Sequence, residues 1–204
     1  MSKSVYIFGA GGHTRSLISL LINCGFEIPG IYDETYTSSH KEIINSIQLL
    51  GELSNYKSKD NLVLSYGDNK KRKDLFLKYS NEVYKGNICH STSFIDVTAK
   101  LGQSNFVFAR TILNANVNIG DNNIINTAAI LEHEVELGSH NHISVGTIIC
   151  GRSKIGNHCF IGAGAVVNDK LEICDHVTIG SNAVVINSIK ESGVYVGNPV
   201  RKIR

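Results

Sequence analysis

The sequence predicts two successive folds, a small α/β Rossmann-like domain and then a parallel β-helix. Three observations predict it: a six-residue aliphatic repeat in the second half, a strand–glycine turn–helix at the start, and a βαβ alternation between them.

The repeat carries the most information. From Ile95, stepping by six gives Leu101, Val107, Leu113, Ile119, Ile125 and so on to Val185, sixteen positions that are all Ile, Leu or Val. A period of six fits neither a helix at 3.6 nor a plain strand at 2. It fits a hexapeptide β-helix, in which each hexad makes one short strand and one turn. The aliphatic residue points to the axis, and three hexads close a triangular coil. Coils then stack at the ~4.8 Å spacing of paired strands, and sixteen hexads make roughly five coils. The next residue is often turn-forming (Gly102, Asn114, Gly120, Asn126, Gly138), and the residue two before is usually small (Ala99, Thr111, Ala129, Thr147, Cys159). The rival, a β-sandwich, would need this spacing by accident.

The first half begins with "VYIFGAGGHTRSLISLLINCG", Val5–Gly25. It reads as a strand, a glycine turn and an amphipathic helix that ends near Cys24 with Gly25 as C-cap. "IPGIYDE", Ile28–Glu34, reads as a second strand ending in acids; Asn61–Asn69 reads as a third strand and turn, followed by a helix from Lys70. The turn Gly9-Ala10-Gly11-Gly12-His13-Thr14 matches a dinucleotide fingerprint only in part, because Thr14 stands where a third glycine is wanted. Even so, glycines admit a phosphate close to the backbone, and a helix N-terminus favours negative charge. Gly11, Gly12 and His13 are therefore candidate nucleotide-binding residues. Asp33 joins them, ending the second strand where such folds meet a ribose or base. A plain strand–helix turn with no ligand is the alternative, as is an N-terminal helix role for His13. Thr35–His40 is polar and expected to be mobile. The domain boundary falls near Ile88, giving domains 1–87 and 88–204.

Composition excludes several classes. The chain has 204 residues, 42% hydrophobic and 19% charged, with a formal charge of +2. That is an ordinary globular balance, with little to attract nucleic acid or an anionic membrane. No apolar run approaches the ~20 residues of a membrane helix. Five scattered cysteines without C-x-x-C argue against a disulfide framework and for a cytoplasmic, reducing setting.

The stretch "ILEHEVELGSHNH", Ile130–His142, concentrates three histidines and three glutamates. In the hexad phase His133 sits at a corner, where it faces a groove. With "FGAGGHTRSLISLL", "GIYDE", "NICHSTSFID", "IINTAAILEHEVELGSHNHISVGTIICGRSKIG" and "GVYVGNPVRKI", it makes the chain resemble the hexapeptide-repeat sugar acetyltransferase family, the bacillosamine N-acetyltransferase and sialic acid O-acetyltransferase group. The resemblance spans essentially the whole chain, and its most specific piece runs from Asn126 to Glu134.

The resemblance implies a left-handed parallel β-helix, a homotrimer with acetyl-CoA along the groove between subunits, and a nucleotide-linked amino sugar in the N-terminal domain. It implies His133 as general base and Glu134 as the acid that orients it. Asn126 would belong to the acceptor site. His142, Gly151, Asn198, Pro199 and Arg201 would meet acetyl-CoA, Gly151 through its backbone N–H. The tail could equally be solvated. The roles suit the chemistry, since an unperturbed imidazole titrates near ~6.5 and acyl transfer needs a base, an oxyanion donor and positioning. His140 has no counterpart and reads as a surface turn residue; Glu132 and Glu136 read as solvent-facing.

No metal is expected, because the histidines fall on different corners; a zinc-binding β-helix is the sharper rival. A covalent acetyl-cysteine route through Cys150 is disfavoured because nothing near it would lower a thiol pKa. The implied reaction is N-acetylation of the nucleotide sugar. O-acetylation of a sugar such as sialic acid, and a non-catalytic β-helix scaffold, are the alternatives.

Overall fold

The computed structural model describes residues 3–35, 43–56 and 61–204. Within Thr35–His40, residues 36–40 lie outside the described residues. The chain divides into two compact units, Met1–Lys85 and Gly86–Arg204.

In the first unit, β1 (Lys3–Phe8) enters the glycine turn and α1 (Gly12–Asn23) leaves it. Leu17, Ile18, Leu20 and Leu21 form the buried stripe of α1, at the i, i+3, i+4 spacing of one helical face. The helix stops at Cys24, and Gly25 takes φ +74°, a value a side chain would resist. β2 (Phe26–Glu27) pairs with the start of β1, and β3 (Ile31–Tyr32) pairs in parallel with its end. The single strand read over Ile28–Glu34 is thus short and preceded by a separate one. β4 (Ile43–Ile44) and β5 (Ile47–Gly51) form an antiparallel hairpin, which the sequence reading missed. Its two-residue turn, Asn45-Ser46, has positive φ at both positions, and an asparagine between apolar pairs was the available signal. β6 (Asn61–Leu64) pairs in parallel with β1 on the side away from β3, and α2 (Asn69–Lys78) follows, capped by the Asp68 side chain accepting from the Lys71 N–H at 2.7 Å. β1 therefore lies between β3 and β6. The carboxyl ends of these strands, where the order of connection switches, are where ligands bind open parallel sheets.

The second unit is a parallel β-helix with three faces. On the first, Ile88, Phe106, Ile124, His142, Phe160 and Thr178 stack in register, eighteen residues apart. The second stacks Phe94, Ile112, Ile130, Ile148, Val166 and Val184. The third stacks Lys100, Asn118, Glu136, Lys154 and Glu172. Axial residues from Val107 to Val185 form one continuous core, with Ile95 and Leu101 packed at its end. Cys89 pairs with Val107 and packs on the same core. The repeat thus begins one hexad earlier than the aliphatic pattern showed.

Two details of the corners differ from the simple hexad reading. Left-handed backbone falls three residues after each axial residue from Leu101 to Ile179, at Ala128, Glu134, His140, Arg152 and their equivalents. The glycines just after the axial residue answer a different need: a Cβ on Gly138 would lie 2.6 Å from the Gly156 carbonyl oxygen of the next coil. At one corner the inward position is also not small. Asn105, Asn123 and Asn141 are buried there, and each carboxamide oxygen accepts from the backbone N–H one coil along: Asn105 from Asn123 at 2.8 Å, Asn123 from Asn141 at 2.7 Å, Asn141 from Cys159 at 2.6 Å. Buried N–H groups need such partners. Asn123→Ala is expected to cost about 1–3 kcal/mol by stranding the Asn141 N–H, read as a lower denaturant midpoint with an unchanged slope.

Candidate active site

At the carboxyl end of the first unit's sheet, the Asp33 carboxylate accepts from the Ala10 N–H at 2.7 Å and from the Thr35 N–H at 2.8 Å and hydroxyl at 2.5 Å. Burial by itself would raise its pKa, but these bonds and the Lys71 charge outweigh burial and hold the carboxyl below its usual value. Asp33 therefore braces the glycine turn from within. The expected direct contact with a ribose or base would have to share an anion already engaged on three donors.

Thr14, at the place of the missing third glycine, has its own role. Its hydroxyl donates to the Gly9 carbonyl at 2.7 Å and accepts from the Ser65 hydroxyl at 3.0 Å, tying the turn to the end of β6. Gly9 has φ +112° and lies under the Tyr66 ring, where a Cβ would come within 3.0 Å. Gly11 is the N-cap of α1, with no side-chain cap and no acid in the first turn. The first-turn N–H groups at Gly11, Gly12 and His13 thus form a site suited to phosphate.

Sequence reasoning missed the rim of this site. Lys71 pairs with Glu34 at 2.6 Å and lies 4.7 Å over the Tyr66 ring. Arg72 is fully buried and donates to the Tyr66 carbonyl at 3.0 Å and to the Asn69 side chain at 2.8 Å. Burial lowers its pKa to about 9, opposed by nearby Asp68. These residues come just after the third strand, a position that could have flagged them.

On the β-helix, His133 and Glu134 occupy the corner between the second and third faces. The His133 Nδ1 is 3.1 Å from the Glu134 carboxylate, which leaves Nε2 for a substrate proton. Eighteen residues on, Gly151 lies beneath the ring: a Cβ there would come within 2.6 Å of Nε2 and Cε1. The Gly151 N–H donates to no acceptor among the described residues. An imidazole with a free ring nitrogen and a spare backbone donor thus share one corner, the two kinds of group that acyl transfer needs. The left-handed φ of Glu134 recurs at each equivalent corner from Ser104 to Asn182, so it belongs to the architecture and not to the site.

Asn126 and His142 meet at the opposite edge of the second face. The Asn126 amide nitrogen is 3.4 Å from His142 Nε2, and the buried His142 ring packs edge-on against Phe160 at 5.1 Å. Asn198 and Pro199 are exposed at the end of the solenoid, as is Arg201 in the final strand, Arg201–Lys202, which pairs antiparallel with Gly193–Val196.

His140 is more than a surface turn residue. Its ring stacks on His158 at 5.1 Å, His158 stacks on His176 at 4.6 Å, and Asn122 bonds His140 at 2.9 Å. Glu132 is half-buried and accepts from the Asn114 amide at 3.0 Å, against the solvent-facing expectation, whereas exposed Glu136 pairs with Lys154 at 3.2 Å. Among the described residues, no three His, Cys, Asp or Glu side chains are placed to hold one metal ion. Burial pushes the Cys150 thiol up, and Asp169 and Glu132 push it further, which disfavours the thiolate an acetyl-cysteine route would need.

Fold and corner together define a hexapeptide-repeat acyltransferase architecture with an added α/β domain. Comparison with known proteins agrees. The PglD N-terminal domain family matches residues 4–79, and the bacterial transferase hexapeptide family, six repeats, matches residues 152–187. The chain thus carries a PglD-type N-terminal domain followed by bacterial transferase hexapeptide repeats. PerB from Caulobacter crescentus, solved with CoA and GDP-perosamine, is 26% identical, with a TM-score of 0.89 over 98% of this chain and 97% of that one. The acetyltransferase domain of PglB from Neisseria gonorrhoeae is 24% identical, with a TM-score of 0.89 over 99% of this chain and all of that one. WeeI from Acinetobacter baumannii shares the fold at 20% identity and a TM-score of 0.86 over 98% of this chain and 99% of that one. An uncharacterized protein of Acanthamoeba polyphaga mimivirus is 32% identical over 107 residues, 52% of this chain; the match spans about a fifth (21%) of that curated relative's length.

This geometry has two testable outcomes. Gly151→Ala is expected to displace the His133 imidazole and abolish most turnover while circular dichroism stays native. Asp33 should stabilise its unit above the ordinary carboxylate range and lose that contribution as pH falls through its depressed folded-state value. Seven of the eight tyrosines precede residue 86, so their near-ultraviolet signal reports that unit. Asp33→Asn should weaken the dependence of its melting temperature on pH below about 4.

Proposed function

We propose that the protein transfers the acetyl group of acetyl-CoA to the amine of a nucleotide-linked amino sugar, with His133 as general base. The observation that carries this reading is the corner itself: an imidazole beside Glu134, set over the N–H of Gly151, which donates to no acceptor among the described residues. PerB, 26% identical to this chain, was captured with CoA and GDP-perosamine, which supports a nucleotide amino sugar over a free sugar hydroxyl as acceptor.

The acceptor must attack as the free amine. Its nitrogen lone pair forms a bond to the thioester carbonyl carbon, and Nε2 of His133 takes the proton that the nitrogen sheds. Negative charge gathers on the former carbonyl oxygen, where the Gly151 N–H donates to it. The C–S bond then breaks, the amide is released, and the CoA thiolate takes the proton back from the imidazolium. Glu134 holds Nδ1 protonated throughout and stabilises the imidazolium, as the carboxylate of a catalytic triad does. Asn126 orients the sugar beside His142. The phosphates lie on the α1 N-terminus at Gly11, Gly12 and His13, in the turn braced by Asp33. The pantetheine runs past Gly151 toward Asn198, Pro199 and Arg201, where a basic tail suits the CoA phosphates.

The working form is a homotrimer with its sites between subunits. The second face supports this. Its outward column, Phe94, Ile112, Ile130, Ile148, Val166 and Val184, is apolar along its whole length, with Phe94 55% exposed, whereas the third face is charged. In one chain the His133 corner and the Asn126–His142 pair flank that face on opposite edges. Copies packed on it would bring unlike edges together. Five free cysteines support a reducing, cytoplasmic compartment.

A mass-spectrometric screen of acetyl-CoA against UDP-, dTDP- and GDP-linked amino sugars should give one N-acetylated product. His133→Ala should cut its turnover about 10²–10⁴-fold, with CoA binding retained. Near-normal turnover in that variant sinks the assignment of the base.

A further inference from the structure

The charge beside the base pair has a role that neither the motif nor the reaction assigns. Arg152 stands one coil above Glu134 at the same corner, and its backbone N–H donates to the His133 carbonyl at 2.9 Å. Its guanidinium Nε is 3.9 Å from the same Glu134 oxygen, Oε2, that faces His133 Nδ1 at 3.1 Å. Among the described residues, Glu134 is the one carboxylate within ion-pair reach of Arg152: Glu136 pairs with Lys154, and Asp169 with Lys170. Lys170 stands one coil beyond Arg152 along this corner, its N–H donating to the Gly151 carbonyl at 3.0 Å. The column therefore runs Glu134, Arg152, Lys170, and the second cation favours Arg152 turning back toward the carboxylate.

We propose that Arg152 is a positioning residue for the base: it anchors the Glu134 carboxylate so that this carboxylate keeps His133 in the Nδ1–H tautomer. The proposal rests on the reading of His133 as base. The need for an anchor comes from exposure. The Glu134 side chain is 53% exposed, and a single bond to a neighbouring ring leaves it free to swing into water at a small energetic cost. If it swings away, nothing on its corner selects the tautomer, and half or more of the molecules can present a protonated Nε2, which cannot take the amine proton. A second attachment on the same oxygen, from a cation fixed in the next coil, restricts that swing. Arginine suits the task because its charge is permanent and its Nε–H can meet a carboxylate side-on.

The test uses the full-length chain with Arg152→Gln, Arg152→Lys, Glu134→Gln and the Glu134→Gln/Arg152→Gln double variant. The first readout needs no substrate. Imidazole ¹⁵N spectra at pH 8, with the His133 signal assigned by its loss in His133→Ala, report the tautomer directly. The wild type should show the Nδ1–H form, Arg152→Gln a mixture, and Arg152→Lys a return toward wild type. An Arg152→Gln spectrum like the wild type overturns the proposal.

The second readout is kinetic, with acetyl-CoA and the nucleotide amino sugar turned over in the screen. Arg152→Gln should lower kcat about two- to fivefold, the scale of an exposed pair, with the KM for acetyl-CoA unchanged. In the Glu134→Gln background the same change should have no further effect. Equal losses in both backgrounds, or a raised KM for acetyl-CoA at constant kcat, show that Arg152 acts elsewhere and overturn it. A silent His133→Ala defeats the base assignment instead, while the spectra still decide whether Arg152 governs the imidazole.

Discussion

The parallel pairing of each strand with the one eighteen residues later is the constraint on which the second unit depends. Once axial residues such as Leu131 and Ile149 stack in a shared core, every other position in the coil has a fixed direction. Corner residues then form columns, and residues remote in sequence become neighbours because they share a phase. His133 lies against Gly151 and Glu134 against Arg152 for this reason. The candidate site is a consequence of periodicity, and its precision comes from backbone ladders instead of flexible loops.

The same constraint explains what the corners tolerate. Each turn from Ser104 to Asn182 has a left-handed residue, and the chain places Glu134, His140, Arg152, His158 and His176 there as well as glycine. Such residues each carry a conformational cost of about 1–3 kcal/mol, which the cooperative stack of coils absorbs. Columns of like side chains result: buried asparagines at one inward corner position, and stacked imidazoles from His140 to His176 beside them. The polar corner residues that could be mistaken for a metal cluster are partly this stacking.

The first unit obeys a different logic. Three parallel strands end together, and the segments leaving those ends converge: the glycine turn after β1, Asp33 after β3, Ser65 and Tyr66 after β6. Asp33 holds the turn with hydrogen bonds, Thr14 links it to Ser65, and buried Arg72 holds the loop carrying Tyr66. The glycine turn at the α1 N-terminus is thus held by polar side chains engaged internally.

The sequence by itself determined the β-helix, its phase, and the corner position of His133. A six-residue period carried through sixteen hexads leaves one way to bury the aliphatic side chains, and axial burial matches it residue by residue. It also determined α1 and its glycine turn, because capping and helical periodicity are local. Tertiary structure decided what depends on residues far apart in the chain. Asp33 turned inward because Ala10 and Thr35 offered donors once β1 and β3 were side by side. Glu132 found Asn114 one coil below, Cys89 proved to be axial through its pairing with Val107, and Arg152 came to share the Glu134 carboxylate with His133. Apart from Thr35, two residues from Asp33, these partners are remote in the linear chain; the eighteen-residue register and the parallel sheet bring them together, and hydrogen bonding then selects among the donors that arrive.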